Sequence, residues 1–445
     1  MKRKTVLIIA LALCAILALS LLAGCAETTD SAFSQGMIAV KKDGLWGFAD
    51  ESGEIVIDCK YDAVTPFYGA YAAVSMGGRT FLIGTDGEDA GIEIAGLDGV
   101  NKERTLMIVK DKHTGLYGAL DTSSGEWKIA PLYDDLYFVK GEMILAELGG
   151  KVGLFDAACA ELCPVAYDVY SGGSNAVVMS KITDAGYVAD VFAADGALLE
   201  KDVRMIVMNN IGDLVYYRYY AESDAGASGE RIKIPALNVD LDASVSSLVT
   251  GIKNVYVEKI TSKESGAVSY ALKKADGTLI LESESEPEAE YVRGLFYVEE
   301  SEQNEQTGEI FTTRTYVDCV SGKTSVLGQN AKFYRTYDYG LYVALGNEVF
   351  AFGESAPLLT LAEGEELEKV LSGGMFAVSK DGLTSLKKDT KAVYAEKVGE
   401  SLDEITGDSA YFTVKNAYGY VALYKADGKQ LFGFDKEITE VIFAA

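Results

Sequence analysis

The sequence holds one histidine, His113, in the stretch KDKHTGLYG. A Ser-His-Asp or Cys-His site would have to use it. The stretch carries no nucleophile elbow, so His113 reads as a solvated residue beside a turn. One histidine is too few for a histidine metal cluster, and Cys59 and Cys319 lack the close pairing of a four-cysteine zinc site. No glycine run has phosphate-loop or dinucleotide spacing, and no D-x-[DN]-x-[DN]-G calcium loop is present. No metal and no cofactor is expected. Carboxylates are the remaining chemistry, with 67 Asp and Glu against 40 Lys and Arg. Two of them in one cleft would serve a glycan hydrolase, a pairing that sequence spacing does not reveal. Tyrosine is abundant, at 27 residues, and densest in YRTYDYGLYVA, Tyr334–Ala344. Tyr334, Tyr337 and Tyr339 are candidate ligand contacts there, because a Tyr ring offers an apolar body and a polar tip. Packing within strands is the competing role.

The chain opens with Lys2, Arg3 and Lys4, followed by an uncharged apolar run from Thr5 to Ala23. A basic start, an apolar stretch and small residues before a cut describe an export signal over residues 1–24. The ending Leu22-Ala23-Gly24-Cys25 resembles the lipobox of bacterial lipoproteins. That resemblance implies lipid attachment at Cys25, which becomes the first residue after cleavage. A retained transmembrane helix is the alternative, and both place the remaining chain on the extracytoplasmic face of the cell membrane. Residues 25–36 are small and polar and read as a tether. Removing residues 1–24 takes away three positive charges, so the net charge goes from −27 to −30. Such a balance opposes nucleic-acid binding and keeps a surface protein soluble.

Of six cysteines, Cys14 leaves with the signal and Cys25 takes the lipid; Cys59, Cys159, Cys163 and Cys319 remain. Their number permits disulfides in an exported protein. Cys59 alternates in phase with Ile55, Ile57 and Tyr61, which predicts a small buried thiol. Cys159 and Cys163 would stand about 13 Å apart on one straight strand, too far to bridge except across a turn.

A repeat organises the rest. Trp46-Gly47 is followed by Asp50 and Gly53, then an alternating run to Tyr61-Asp62. Tyr117-Gly118, Asp121, Gly125 and Tyr133-Asp134 repeat the pattern; Gly153, Asp156, Cys159 and Tyr167-Asp168 do so more loosely. Asp-x-x-Gly is turn chemistry, in which Asp caps its own backbone and Gly takes the positive φ. EIVIDCKYD alternates as a half-buried strand does, with Ile55, Ile57, Cys59 and Tyr61 on one face. A further turn and strand follow, giving a three-stranded antiparallel meander of about 35 residues that must stack on neighbours to hide its apolar face. The pattern resembles the WG, or KWG, repeat of bacterial surface and secreted proteins. The resemblance is clear over Gly44–Phe67 and Gly115–Tyr137, weaker over Lys151–Asp168, and elsewhere reduced to turn glycines such as Gly87, Gly196, Gly277, Gly322 and Gly428. It implies an all-β, propeller-like array of three- to four-stranded antiparallel meanders with no shared catalytic residues.

Glycine spacing predicts ten or eleven units, more than one propeller usually holds. Two modules, 37–235 and 236–445, or a single ring are expected, with an open β-solenoid as the alternative. Tyr220–Ser244 breaks the rhythm and marks the boundary. No segment outside the signal has a long helical period. The acidic stretches Glu282–Glu290 and Glu299–Glu309 read as long solvated hairpin loops. The function expected is a lipid-anchored, non-enzymatic binding or scaffold role toward a protein or cell-envelope partner. The alternative is a secreted hydrolase using two carboxylates in a propeller cleft.

Overall fold

The structure, a computed structural model, describes residues 32–444 except 140–141, 174–175, 185, 212–213, 222–228, 253–254, 275, 304–307, 309, 329 and 389. The signal, Cys25 and most of the tether lie outside the described residues. The described chain is all-β, with short 3-10 turns such as Pro235–Leu237, Ser372–Gly374 and Phe434–Lys436. No helix among the described residues is long and apolar enough to cross a membrane.

Nine sheets have four antiparallel strands. A seven-stranded tenth is two four-stranded units that share the long strand Asp89–Val100. Among the described residues this makes eleven units. Unit 1 combines Ile38–Lys42, Leu45–Ala49 and Ile55–Tyr61 with Glu440–Ile442 as its inner strand. Units 2 and 3 span 63–100 and 89–133; units 4 to 6 span 135–167, 169–205 and 207–242. Units 7 to 11 span 246–283, 288–327, 332–360, 366–395 and 400–432.

The second strand of a unit explains the packing. Along it, successive side chains enter different cores. Ile38 and Val40 join a cluster with Val421 and Leu423 of unit 11, whereas Ala39 joins Val74 and Phe81 of unit 2. Met107 and Val109 face unit 2; Leu106 and Ile108 face unit 4. Such strands read as continuous apolar runs because both faces are covered. Every core cluster joins two consecutive units, and one joins unit 11 to unit 1. The array therefore returns on itself. Glu440–Ile442 seals it by pairing with unit 1, Val441 opposite Val40. The circuit replaces the open solenoid. It also removes the boundary expected at 235/236, because Pro235–Leu237 links two strands that pair within unit 6. The tether is shorter than expected, since Ala32 and Phe33 are already buried in the core between units 11 and 1.

The repeat signature has a geometric cause. Trp46 pairs with Tyr61 and Phe48 with Ile57, so the outer strand carries three residues, 58–60, opposite Gly47. This bulge leans onto the glycine: a Cβ there would lie 2.5 Å from the Ile57 carbonyl oxygen and 2.7 Å from the Cys59 nitrogen. Gly118 faces the same bulge between Ile129 and Tyr133, and Gly153 faces it between Cys163 and Tyr167. The bulge also breaks the expected alternation. Ile57 and Tyr61 enter the core toward unit 2, Cys59 turns half-buried toward unit 11, and Ile55 is exposed. Lys41 lies over Trp46 and Lys110 over Tyr117, each opposite its ring across the ladder.

The turn closing each copy is built as expected. Asp50 Oδ1 accepts from the Ser52 amide and hydroxyl and the Glu54 amide, and Gly53 has φ +75°. Gly125 stands in the same turn, and Cys159 replaces the glycine at φ +67°. The Asp after each Tyr binds the chain crossing to the next unit: Asp62 accepts from the Gly77 amide, Asp134 from Gly149 and Asp168 from Ile182. The third strand of the sequence repeat accordingly opens the next sheet. The acidic stretch from Glu299 is less of a loop than expected, because Leu295–Gln303 is a strand paired with Ile310–Asp318.

Gly47→Ala should lower stability by about 2–3 kcal/mol, because backbone blocks the new methyl. Gly96→Ala, with nothing within 4 Å of its Cβ position, should change it by no more than about 0.5 kcal/mol. Urea denaturation of the two variants against the parent measures both.

Candidate binding cleft

Turns between the inner and second strands of distant units meet in a cleft of about 1290 Å³. Unit 2 contributes Tyr68, and unit 3 the segment Leu97–Arg104. Unit 9 contributes Tyr337, Asp338 and Tyr339, unit 10 Ser372 and Gly373, and unit 11 Asp408. Ala444, just past Glu440–Ile442, completes the lining. An adjoining cavity of about 560 Å³ between units 9, 10 and 11 shares Tyr337 and Ser372.

Three of these turns are built alike. Asn101, Thr336 and Thr406 each accept, through the backbone carbonyl, from the amide three residues on. The residue there is left-handed: Arg104 at φ +57°, Tyr339 at +65° and Ser409 at +60°. For residues with a Cβ this costs about 1–2 kcal/mol, so the turns are held by their side chains. Asn101 Oδ1 accepts from the Thr105 and Leu106 amides; Thr336 Oγ1 donates to Asp338 and Thr406 Oγ1 to Asp408. Gly407 occupies the place in its turn that Tyr337 occupies in its own. A Cβ on it would stand 3.2 Å from the Tyr337 ring, so the glycine lets that ring lie close.

Tyr337 is 71% exposed and Tyr339 53%, which places two of the three candidate tyrosines at the cleft. Tyr334 is half-buried instead, packed in the core between units 9 and 10. Nothing in the residue pattern marks Tyr68, Asn101–Arg104 or Asp408 as cleft residues. Their only trace is the recurrence of Thr-x-Asp at 336 and 406. The ten repeat-signature residues Trp46, Gly47, Gly53, Tyr61, Tyr117, Gly118, Gly125, Tyr133, Gly153 and Tyr167 lie outside both cavities. His113 is exposed, in the turn at the far end of the strand that leads away from Asn101–Arg104.

The polar groups are largely committed. Burial raises the Asp338 carboxyl, but Thr336 and the Gly340 and Gly373 amides outweigh it and hold it below the usual range. Glu396 in the smaller cavity accepts from two backbone amides, Thr384 and Leu402. Burial pushes the Cys163 and Cys319 thiols up to about 12. The four described cysteines are free and pack against four different cores. No group of three or more metal-binding side chains stands together among the described residues. Arg335 anchors the tyrosine turn: Nη1 donates to the Tyr339 carbonyl at 3.1 Å and Nη2 to Asp318 at 2.7 Å. Asp318 is 2% exposed. Burial raises its carboxyl, yet Arg335 and Ser321 bring the net shift below the ordinary value.

Fold and cleft together define a propeller-like repeat protein whose inner turns form a recess. Segments 31–46, 46–79 and 117–151 match the WG containing repeat, so the chain carries WG repeats there. The third copy, apart from its first residue Lys151, lies beyond the matched segments. No curated protein matches the sequence. Among solved structures, the tricorn protease is similar at 10% identity and TM-score 0.19, over 93% of this chain and 48% of its own. This chain thus spans about half the length of that one. Kluyveromyces lactis Hsv2 is similar at 10% identity and TM-score 0.21, over 56% of this chain and 95% of its own. The β-propeller domain of the Trilobed protease from Pyrococcus furiosus is similar at 14% and 0.19, over 67% and 98%.

Asp318→Asn should cost about 2–3 kcal/mol at neutral pH, since it leaves the buried guanidinium short of its partner. The depressed carboxyl stabilises the fold above pH about 4 and ceases to do so as pH falls through its folded-state value. The difference between parent and variant should therefore shrink on acidification below about pH 4. Thermal unfolding of both between pH 3 and 7 checks this.

Proposed function

We propose that this chain is a lipid-anchored extracytoplasmic protein with a non-enzymatic binding or scaffold role toward a protein or cell-envelope partner. The observation that carries the reading is the pair Tyr337 and Tyr339, standing exposed on a cleft of about 1290 Å³. Such rings contact a ligand with large area at small entropic cost. The depressed Asp338 also favours binding over proton transfer by that group, since a general acid needs a raised pKa. Lipid attachment rests on the sequence around Cys25.

Radiolabelled palmitate should enter the parent through Cys25, and Cys25→Ser should stay unlabelled and unprocessed; an unlabelled parent overturns the anchor. Tyr337→Ala/Tyr339→Ala should lose the envelope partner in co-purification, with stability unchanged within about 0.5 kcal/mol. Retention of that partner by the double variant would remove the cleft from the proposal.

A further inference from the structure

We infer that the cleft opens toward the bilayer and takes a partner held in the same membrane: the basic extracytoplasmic segment of a membrane protein. The inference rests on the lipid anchor at Cys25 proposed above.

The Ala444 amide donates to the Ala32 carbonyl at 3.2 Å, and Ala444 lines the cleft. Ala32 is fully buried, so the chain leaves the fold at the cleft's margin. Cys25 stands seven residues before it. Seven residues reach at most about 25 Å when fully extended. The backbone of Cys25 therefore cannot stand farther than about that from Ala32 at the cleft's margin.

Sheet geometry fixes which end this is. In unit 11 the turn Thr406–Ser409 meets the cavities, the strand Tyr411–Asn416 runs away from it, and Tyr418 stands in the next turn. Antiparallel strands put successive turns at opposite ends, here about 20 Å apart. In unit 1, Ile38–Lys42 runs likewise from the cleft end to the turn at Gly44. A tether bringing the far end to the membrane would use about 20 Å along the wall. The roughly 5 Å remaining would not clear the turns.

Charge selects the occupant. The anchored chain, at a net charge of −30 once residues 1–24 are removed, is repelled by anionic headgroups, so the tether holds the cleft near the surface without pressing it on. Within the cleft, Asp98, Glu103, Asp338 and Asp408 outnumber Lys102 and Arg104. Carboxylates beside exposed tyrosine faces suit Lys and Arg side chains.

Lipidated protein in phosphatidylcholine vesicles tests the orientation. A fluorophore on Lys102→Cys should be quenched by headgroup-attached spin label at least threefold more than one on Tyr418→Cys, after subtraction of labelling at native thiols. Equal quenching, or stronger quenching at 418, overturns the orientation. Failure to associate with vesicles overturns the anchor instead, so the two claims fail separately. In intact envelopes, a photo-crosslinker at Tyr337 should join an integral membrane protein. Inserting thirty Gly/Ser residues after Glu27 should cut that yield severalfold. Adducts confined to soluble proteins or glycans, or a yield that ignores the insertion, overturn the partner.

Discussion

Each four-stranded unit has two apolar faces, and no unit can bury both alone. The second strand shows this most directly, with Val40 packed on unit 11 while its neighbour Ala39 packs toward unit 2. Burying an aliphatic side chain of that size is worth about 1.5–3 kcal/mol. An open row would leave one face bare at each end. Pairing Glu440–Ile442 against Ile38–Lys42 gives the first unit its inner strand and the last unit its neighbour. Phe443 and Ile438 enter the same core, beside Ala32 and Phe33. Both ends of the described chain are thus held by one seam.

Much of this was legible because turns leave short-range marks. Gly87, Gly196, Gly277, Gly322 and Gly428 all sit in the turn before an outer strand, and the eleven units agree with their spacing. The framing was not legible. The Tyr-Asp pair closes one sheet while the strand after it opens the next, and local sequence does not show where hydrogen bonding passes to a new partner. The bulge hid for a related reason. Ile57, Cys59 and Tyr61 alternate on paper, but Gly47 admits an approach that rotates Cys59 to the opposite face. A period-two reading assumes a regular ladder. The boundary expected at 235/236 failed because Pro235 reads as a break, whereas it serves as the first residue of a tight link between paired strands.

The cleft was legible only in part. Tyr337 and Tyr339 drew notice through aromatic density. Tyr68 and Arg104 could not, because only closure of the circuit brings units 2 and 3 to units 9, 10 and 11. The left-handed Arg104, Tyr339 and Ser409 were equally silent, since none is the glycine or asparagine that usually marks such a backbone. Strain of this kind at a recess is where function tends to gather.

The two ends of the sheets carry different tasks. Asp62, Asp134 and Asp168 tie the crossings to hairpin turns at the end away from the cleft. Trp46 and Tyr117 lie near that end too, each opposite a lysine of the neighbouring strand. The recurring Asp-x-x-Gly turns sit on the outer rim, where Gly53 meets Phe432 and Gly125 meets Tyr71 of neighbouring units. Inner turns at the cleft end make none of the bonds to Asp62, Asp134 and Asp168, although in unit 2 Tyr71 meets Gly125 and the Ala70 amide donates to the Thr122 carbonyl. An exposed side chain on them such as Tyr337 can therefore vary in size and charge without disturbing the repeat. The motif that identifies the fold is consequently uninformative about function, and the lining of the cleft is set by turns that the repeat pattern leaves free.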